Sequence, residues 1–143
     1  MMLESLFSSE TYNISFYKQS PAVLSVDWQE GSKWLNNQGF RESAERATAF
    51  VEQRQPKYLL INARKLNFII VPELQEWYQK NIIPKYVKAG LEKIGVVLTG
   101  EFVADLAIKQ VFSEKITLKN MQIKYFTSSD EVPEWFNVSL VKS

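Results

Sequence analysis

The chain has 143 residues, enough for one domain with its own hydrophobic core, and we expect a single domain over 1–143 with a core over about 11–136. Hydrophobic residues make up 45% and charged residues 23%, values typical of globular proteins, which disfavours the disordered, collagen-like and low-complexity classes. The formal net charge is only +1. Without a basic field to attract phosphates, we expect no nucleic-acid partner.

The sequence contains no Cys and no His, two residue types that often act as catalytic groups and metal ligands. Disulfides, the common zinc ligand sets and catalysis by Ser-His-Asp or Cys-His groups are therefore excluded. The five glycines form neither a Walker A loop nor a dinucleotide-binding fingerprint. We expect no metal, no cofactor and no enzymatic activity.

The amino-terminal segment carries Glu4 where a secretory signal would carry a cation. No uninterrupted apolar run approaches the roughly 20 residues that cross a bilayer. We therefore expect no export signal and no transmembrane segment, and a cytoplasmic location.

The first regular elements predicted are two strands. Residues 11–18 alternate between apolar and polar side chains, and residues 23–28 form a second β-rich run. Gln19, Ser20 and Pro21 between them favour a turn, so we expect an antiparallel hairpin. A helix is then predicted from Phe40 to Arg54, followed by a buried strand over residues 58–61.

A second helix is predicted to start at Pro72, a residue favoured in the first helical turn. Its apolar side consists of Leu74, Tyr78, Ile82, Tyr86 and Ala89. Pro84 lies inside this pattern and has no backbone N–H to donate to the carbonyl of Lys80, so a kink or a break is expected there.

The remaining elements continue the alternation of strands and helices. Residues 94–98 are predicted to form a strand, and Thr99 to cap a third helix. The buried side of that helix is predicted from Val103, Leu106, Ala107 and Val111. A last strand over residues 123–126 and a short helix after Ser128 complete the order ββαβαβαβα. This order is typical of an α/β domain with a mostly parallel sheet, a leading antiparallel hairpin and covering helices.

Four segments carry a resemblance to a known family. They are Asp27-Trp28 followed by Gly31, residues 60–64 (LINAR), residues 72–77 (PELQEW) leading to Ile83-Pro84, and residues 89–94 (AGLEKI). With the order of elements, they resemble the SpoIIAA-like family, which is grouped with STAS and Sec14-type domains. The resemblance implies the fold of that family, and its Sec14-type branch suggests a small apolar or lipid-like ligand.

The sequence also departs from this family at two places. Antagonist-type STAS domains have a phosphorylatable Ser where the second helix begins, whereas residues 67–72 read NFIIVP. Family members tend to have an acidic residue where Asn62 stands. The resemblance therefore supports neither a phosphorylation switch nor a function of that carboxylate in this chain.

Asn62 and Arg64 follow a central strand at its carboxyl end, where open α/β sheets usually bind ligands. Arg64 is a candidate for binding a carboxylate or a phosphate. The alternative is a structural Arg64 that pairs with Glu73 or Glu76, in the first turns of the second helix, or that ties down the loop.

An unusually apolar connection precedes the second helix. Phe68 and Ile70 lie in it, and Trp77 and Tyr78 follow on the helix; all four either belong to the core or form a contact surface. Together with Asn62 and Arg64 they are the predicted binding residues. The sequence favours a non-enzymatic binding or regulatory module that contacts another protein or a second copy of itself. The alternative is a carrier or sensor of a small apolar or lipid-like ligand.

Overall fold

A computed structural model describes residues 2–112 and 120–140. Within these residues, six strands form one sheet in which every strand lies beside its predecessor in the sequence. The strands are β1 (Leu3–Ser8), β2 (Tyr12–Tyr17), β3 (Val23–Trp28), β4 (Tyr58–Asn62), β5 (Lys93–Val97) and β6 (Gln122–Phe126). β1, β2 and β3 pair antiparallel, whereas β3 to β6 pair parallel. The predicted α/β class, with an antiparallel segment leading into a parallel one, is confirmed.

Helices cover both faces of this sheet. They are α1 (Asn37–Arg54), α2 (Pro72–Asn81), α3 (Ile83–Lys88), α4 (Phe102–Val111) and α5 (Val132–Phe136), with 3-10 turns over Glu30–Trp34 and Ser129–Glu131. α1 to α4 bury their apolar sides in one cluster with alternate strand residues such as Ile14, Leu59 and Ile94. α5 packs on the opposite face. No helix in the described ranges is long and apolar enough to cross a membrane.

The predicted order ββαβαβαβα is wrong at its start, because a strand precedes the predicted hairpin. β1 pairs with β2, for example Glu4 with Phe16, and its register shifts between Ser5 and Phe7. β1 lies at the edge of the sheet, and none of its residues is fully buried. Its sequence therefore lacks the regular alternation that reveals a half-buried strand. The observed order is βββαβααβαβα.

The break predicted at Pro84 is present. α2 ends at Asn81 and α3 begins at Ile83, with Pro84 in its first turn. Across the break, Ile82 N–H still donates to the carbonyl of Tyr78. The apolar side of both helices therefore continues into the core despite the interruption.

The predicted buried side of α4 is right at Ala107 and Val111 and wrong at Val103 and Leu106. Ala104, Ala107, Ile108 and Val111 face the core, while Val103 and Leu106 are exposed. The predicted cap is also different, because Glu101 precedes the first helical residue and Asp105 satisfies the backbone before it. The Asp105 carboxylate accepts hydrogen bonds from Thr99 N–H at 2.8 Å, from the Thr99 hydroxyl at 2.6 Å and from Gly100 N–H at 3.0 Å.

Candidate binding site at the carboxyl end of the sheet

Three connections leave the sheet at the same edge, because β3, β4 and β5 are parallel. The connections after β3 and β4 are joined through Ser32. Its hydroxyl accepts from Asn67 N–H at 2.9 Å and donates to the carbonyl of Lys65 at 3.4 Å. The connections after β4 and β5 meet where the Arg64 guanidinium packs on Gly100. A methyl group added to that glycine would lie 3.1 Å from Arg64 Nη1. The connections after β3, β4 and β5 therefore form one continuous end of the molecule.

This end carries an unusual number of exposed apolar side chains. Its members, here called the apolar end, are Trp34, Ile69, Val71, Phe102, Val103 and Leu106. Trp34 is 82% exposed and Phe102 79% exposed. In the described residues, the only other exposed large hydrophobic side chain is Met2, which lies beside Lys18 at the opposite end of the sheet. A concentration of exposed large apolar side chains at one end of a domain commonly marks a contact site.

The register between two helices brings part of the apolar end together. Gln79 on α2 donates through its side chain to the backbone carbonyls of Gln110 at 2.8 Å and Val111 at 3.2 Å on α4. Both helices start at the carboxyl edge of the sheet and run away from it. Gln79 lies about as far from the start of α2 as Gln110 and Val111 lie from the start of α4. The beginning of α2, which follows Val71, is therefore placed beside the beginning of α4.

Charged side chains surround these apolar residues. Lys33, Arg64 and Lys65 are exposed, and none of them belongs to an ion pair within the described part of the chain. Glu30 and Glu101 are the exposed acidic residues in the same connections. The balance in these connections is slightly basic.

The ion pair predicted for Arg64 as an alternative to ligand binding does not form. Glu73 pairs with Arg41 at 3.3 Å, and Glu76 pairs with Lys80 at 3.0 Å. The backbone N–H of Arg64 instead donates to the Asn62 side chain at 3.1 Å. Asn62 therefore shapes the turn after β4. The Arg64 guanidinium packs on Gly100 of the connection after β5, as the loop-tying alternative expects, while the side chain stays exposed.

The other four predicted binding residues lie mostly inside the fold. Ile70 and Tyr78 are buried in the helix-side core. Phe68 and Trp77 are half-buried against the same core. Phe68 stacks on Phe40 with ring centres 5.7 Å apart, and the guanidinium of Arg41 lies 6.0 Å from the ring centre of Trp77. These contacts assign much of their surface to packing.

A cavity of about 60 Å³ lies between the sheet and the helices. One row of side chains forms its floor, because Val26, Ile61 and Val96 lie at the same register on three neighbouring strands. Leu66 and Ile70, from the connection after β4, line the cavity from the carboxyl end. This connection therefore places some side chains into the cavity, while Ile69 and Val71 point outward.

The cavity has few polar groups, and they are occupied. The hydroxyls of Tyr78 and Tyr86 bond to each other at 2.8 Å, and the Ser43 hydroxyl donates to the carbonyl of Phe40 at 2.6 Å. Burial is the main factor that raises the pKa of both tyrosines. A phenol with a raised pKa stays protonated at neutral pH and is a poor general base. The described lining of the cavity therefore offers apolar contacts and two protonated phenols.

The sequence analysis did not identify Trp34 or the exposed side of α4. Trp34 is a large aromatic residue in a stretch rich in Gly, Asn and Ser, with no periodic apolar partner. α4 is apolar on almost every side, which is unusual for a helix on the surface. Both features were signals for exposed contact residues.

Comparison of the chain with family models, with curated proteins and with solved structures finds no match. The resemblance to the SpoIIAA-like family therefore stays a prediction. A proposal for the function therefore depends on the positions of this chain's own side chains.

Proposed function

We propose that this protein is a non-enzymatic binding module that contacts a partner protein through the apolar end. The observation that supports this most strongly is the location of the exposed large hydrophobic side chains, which are concentrated in the connections and helix starts at the carboxyl edge. Scattered single residues would need no explanation, whereas a concentration at one end does.

The composition of the apolar end fits a protein contact. Trp34 and Phe102 are large side chains with little protein around them, and aromatic residues of this kind contribute a large share of binding free energy when a partner desolvates them. The connection between β4 and α2 is anchored to the domain, because its residues Leu66 and Ile70 are buried in the core. Such a base keeps the contact residues in place before a partner arrives, which lowers the entropic cost of association.

The charges indicate the chemistry of the partner. Lys33, Arg64 and Lys65 lie among the apolar residues and form no ion pairs in the described ranges. A partner segment with apolar side chains flanked by carboxylates would cover the apolar residues and pair with these cations. Opposite charges at the rim of an interface mainly increase the association rate and the specificity.

The finer assignment of the fold belongs to the same proposal. The mixed sheet, with its antiparallel leading strands and its helices after β3, β4 and β5, is compatible with a SpoIIAA-like domain. In that case the chain would be a member without the phosphorylation switch, since residues 67–72 contain no hydroxyl group.

A matched pair of variants tests the proposal. Trp34→Ser together with Phe102→Ser removes the two most exposed apolar side chains, and Met2→Ser removes one from the opposite end as a control. All three positions are exposed, so we expect each substitution to change the free energy of unfolding by no more than about 0.5 kcal/mol. Proteins captured from the native cell are identified by quantitative mass spectrometry, and each candidate is then tested as a purified pair with the same variants.

The proposal is supported if a purified partner binds the wild type and Met2→Ser but loses at least tenfold in affinity for the double variant. Reversal of Lys33, Arg64 and Lys65 to Glu should weaken the same pair, more strongly at low salt. Equal binding by the wild type and the double variant would refute the proposal. Sedimentation provides a further test, because a wild-type dimer that the double variant abolishes would identify the occupant as a second copy of the chain and overturn the assignment to a different protein.

A further inference from the structure

Beyond a protein contact, we infer that the cavity between the sheet and the helices is a binding site for one small, uncharged, apolar molecule. Its walls come from β3, β4, β5, α1, α2, α3 and α4 and from the connection after β4. Among the described residues, no charged side chain lines it. The site is independent of the apolar end, because Trp34 and Phe102 do not contribute to its walls.

The volume limits the size of the ligand. An apolar protein cavity of about 150 Å³ accommodates benzene, so a cavity of about 60 Å³ has room for a molecule of about two or three heavy atoms. Short hydrocarbons and dissolved apolar gases have this size. A fatty acyl chain does not fit without a large rearrangement, so the ligand class is narrower than the lipid-like molecule suggested by the sequence.

The bonding of the lining residues favours an apolar ligand over water. A buried water needs about two to four polar partners. Ser43 has already donated its proton to its own helix, and Tyr78 and Tyr86 are bonded to each other. In the described ranges, every buried side-chain nitrogen and oxygen has a partner. A water in the cavity would therefore gain few hydrogen bonds, whereas an apolar molecule would gain dispersion contacts with Val26, Ile61 and Val96.

The cavity is accessible from outside. It is partly open rather than sealed. Ile61 lies on central strand β4 and contacts the helix-side core, yet it is only partly buried. Leu66 and Ile70, at the carboxyl end of the cavity, belong to an irregular connection rather than to a helix or strand. A small molecule can therefore enter without the unfolding of a regular element.

Xenon is a suitable probe, since it is uncharged, apolar and small. Methyl NMR spectra of the full chain are recorded under increasing xenon pressure. We expect saturable shifts of the methyl groups of Val26, Ile61 and Val96. The methyl groups of Val23 and Val97, which are buried on the opposite face of the sheet, are the internal control and should not shift. Absence of saturable shifts at the floor residues, or equal shifts on both faces, would overturn the inference.

Two variants change the volume in opposite directions. Ala47→Val adds methyl groups on the α1 wall and should abolish the xenon shifts. Ile61→Ala enlarges the floor and should allow the folded protein to bind benzene, which the wild type should not bind. If Ala47→Val does not fold, Ile61→Ala still decides: benzene binding by this variant alone supports the site, and benzene binding by neither protein or by both overturns it. Binding at the apolar end is measured in parallel with Trp34→Ser and Phe102→Ser, so that the two proposals fail separately.

Discussion

The hydroxyl groups of Tyr78 and Tyr86 lie 2.8 Å apart, one on α2 and the other on α3. Their hydrogen bond spans the break that Pro84 imposes, and both rings are buried. The two tyrosines therefore connect α2 and α3 by polar groups inside an otherwise apolar layer.

Removal of either tyrosine hydroxyl should destabilise the protein. Tyr86→Phe leaves the buried Tyr78 hydroxyl without this bond, and Tyr78→Phe does the same to the Tyr86 hydroxyl, each at a cost of about 1–3 kcal/mol. The double variant should cost less than the sum of the single variants, since it leaves no unpaired phenol. Urea unfolding of the four proteins measures the coupling. Additive single effects would contradict the pairing.

The side of α4 that faces the core can be tested with two truncations. Ile108→Ala should lower the free energy of unfolding by about 2–5 kcal/mol because Ile108 is buried. Leu106→Ala removes a side chain of the same volume from the exposed side and should cost no more than about 0.5 kcal/mol. Denaturant unfolding gives both values. A larger cost for Leu106→Ala than for Ile108→Ala would restore the face expected from the sequence.

Gly95 on β5 allows α5 to approach the sheet closely. A methyl group at this position would lie 2.6 Å from Cγ1 of Val132, so Gly95→Ala should destabilise the protein by about 1–3 kcal/mol through overpacking. In a Val132→Ala background the clashing methyl is absent. The same substitution should then cost less, and an unchanged cost would rule out the proposed clash.

The position of β1 depends partly on one ion pair. Glu4 lies 2.8 Å from Arg54 at the end of α1, and the hydrogen bond from Arg54 is the main factor that lowers the pKa of Glu4. A carboxyl group whose pKa is lower in the folded state stabilises the fold above its unfolded pKa, and this contribution disappears as the pH falls through the folded pKa.

Glu4→Gln should therefore lower the midpoint of thermal unfolding slightly at pH 7, and the difference from the wild type should vanish in acid. Glu10→Gln is the control, since Glu10 is exposed and belongs to none of the ion pairs in the described residues. A difference for Glu4→Gln that persists below the lowered pKa would show that the side chain acts through packing rather than through charge.

Much of the sheet could be predicted from the sequence, because β3, β4 and β5 are short apolar runs bounded by turn residues. The break at Pro84 could also be predicted, because proline has no backbone N–H to donate within a helix. β1 could not be predicted. Its pairing depends on β2 and on the distant Arg54, and a partly exposed edge strand has no strict apolar alternation.

The candidate site was predicted only in part, for two physical reasons. Helical spacing alone does not choose between two overlapping sides of α4, and the small Ala104 faces the core while the larger Val103 faces solvent. In the β4–α2 connection, neighbours such as Ile69 and Ile70 point in different directions. The direction of a side chain in an irregular segment depends on tertiary contacts, so the sequence indicated the region but not which residues face outward.

The order of strands in the sheet is the same as their order in the chain. During synthesis, each new strand that leaves the ribosome finds its pairing partner already made, and assembly can proceed from the amino terminus. The face of the sheet that α5 covers is completed later in synthesis. Leu60 and Val97 belong to that face and are synthesised well before Val132 and Phe136, which cover it. A nascent chain therefore carries an uncovered apolar surface until α5 appears, and this is the interval in which chaperone binding or aggregation would compete with folding.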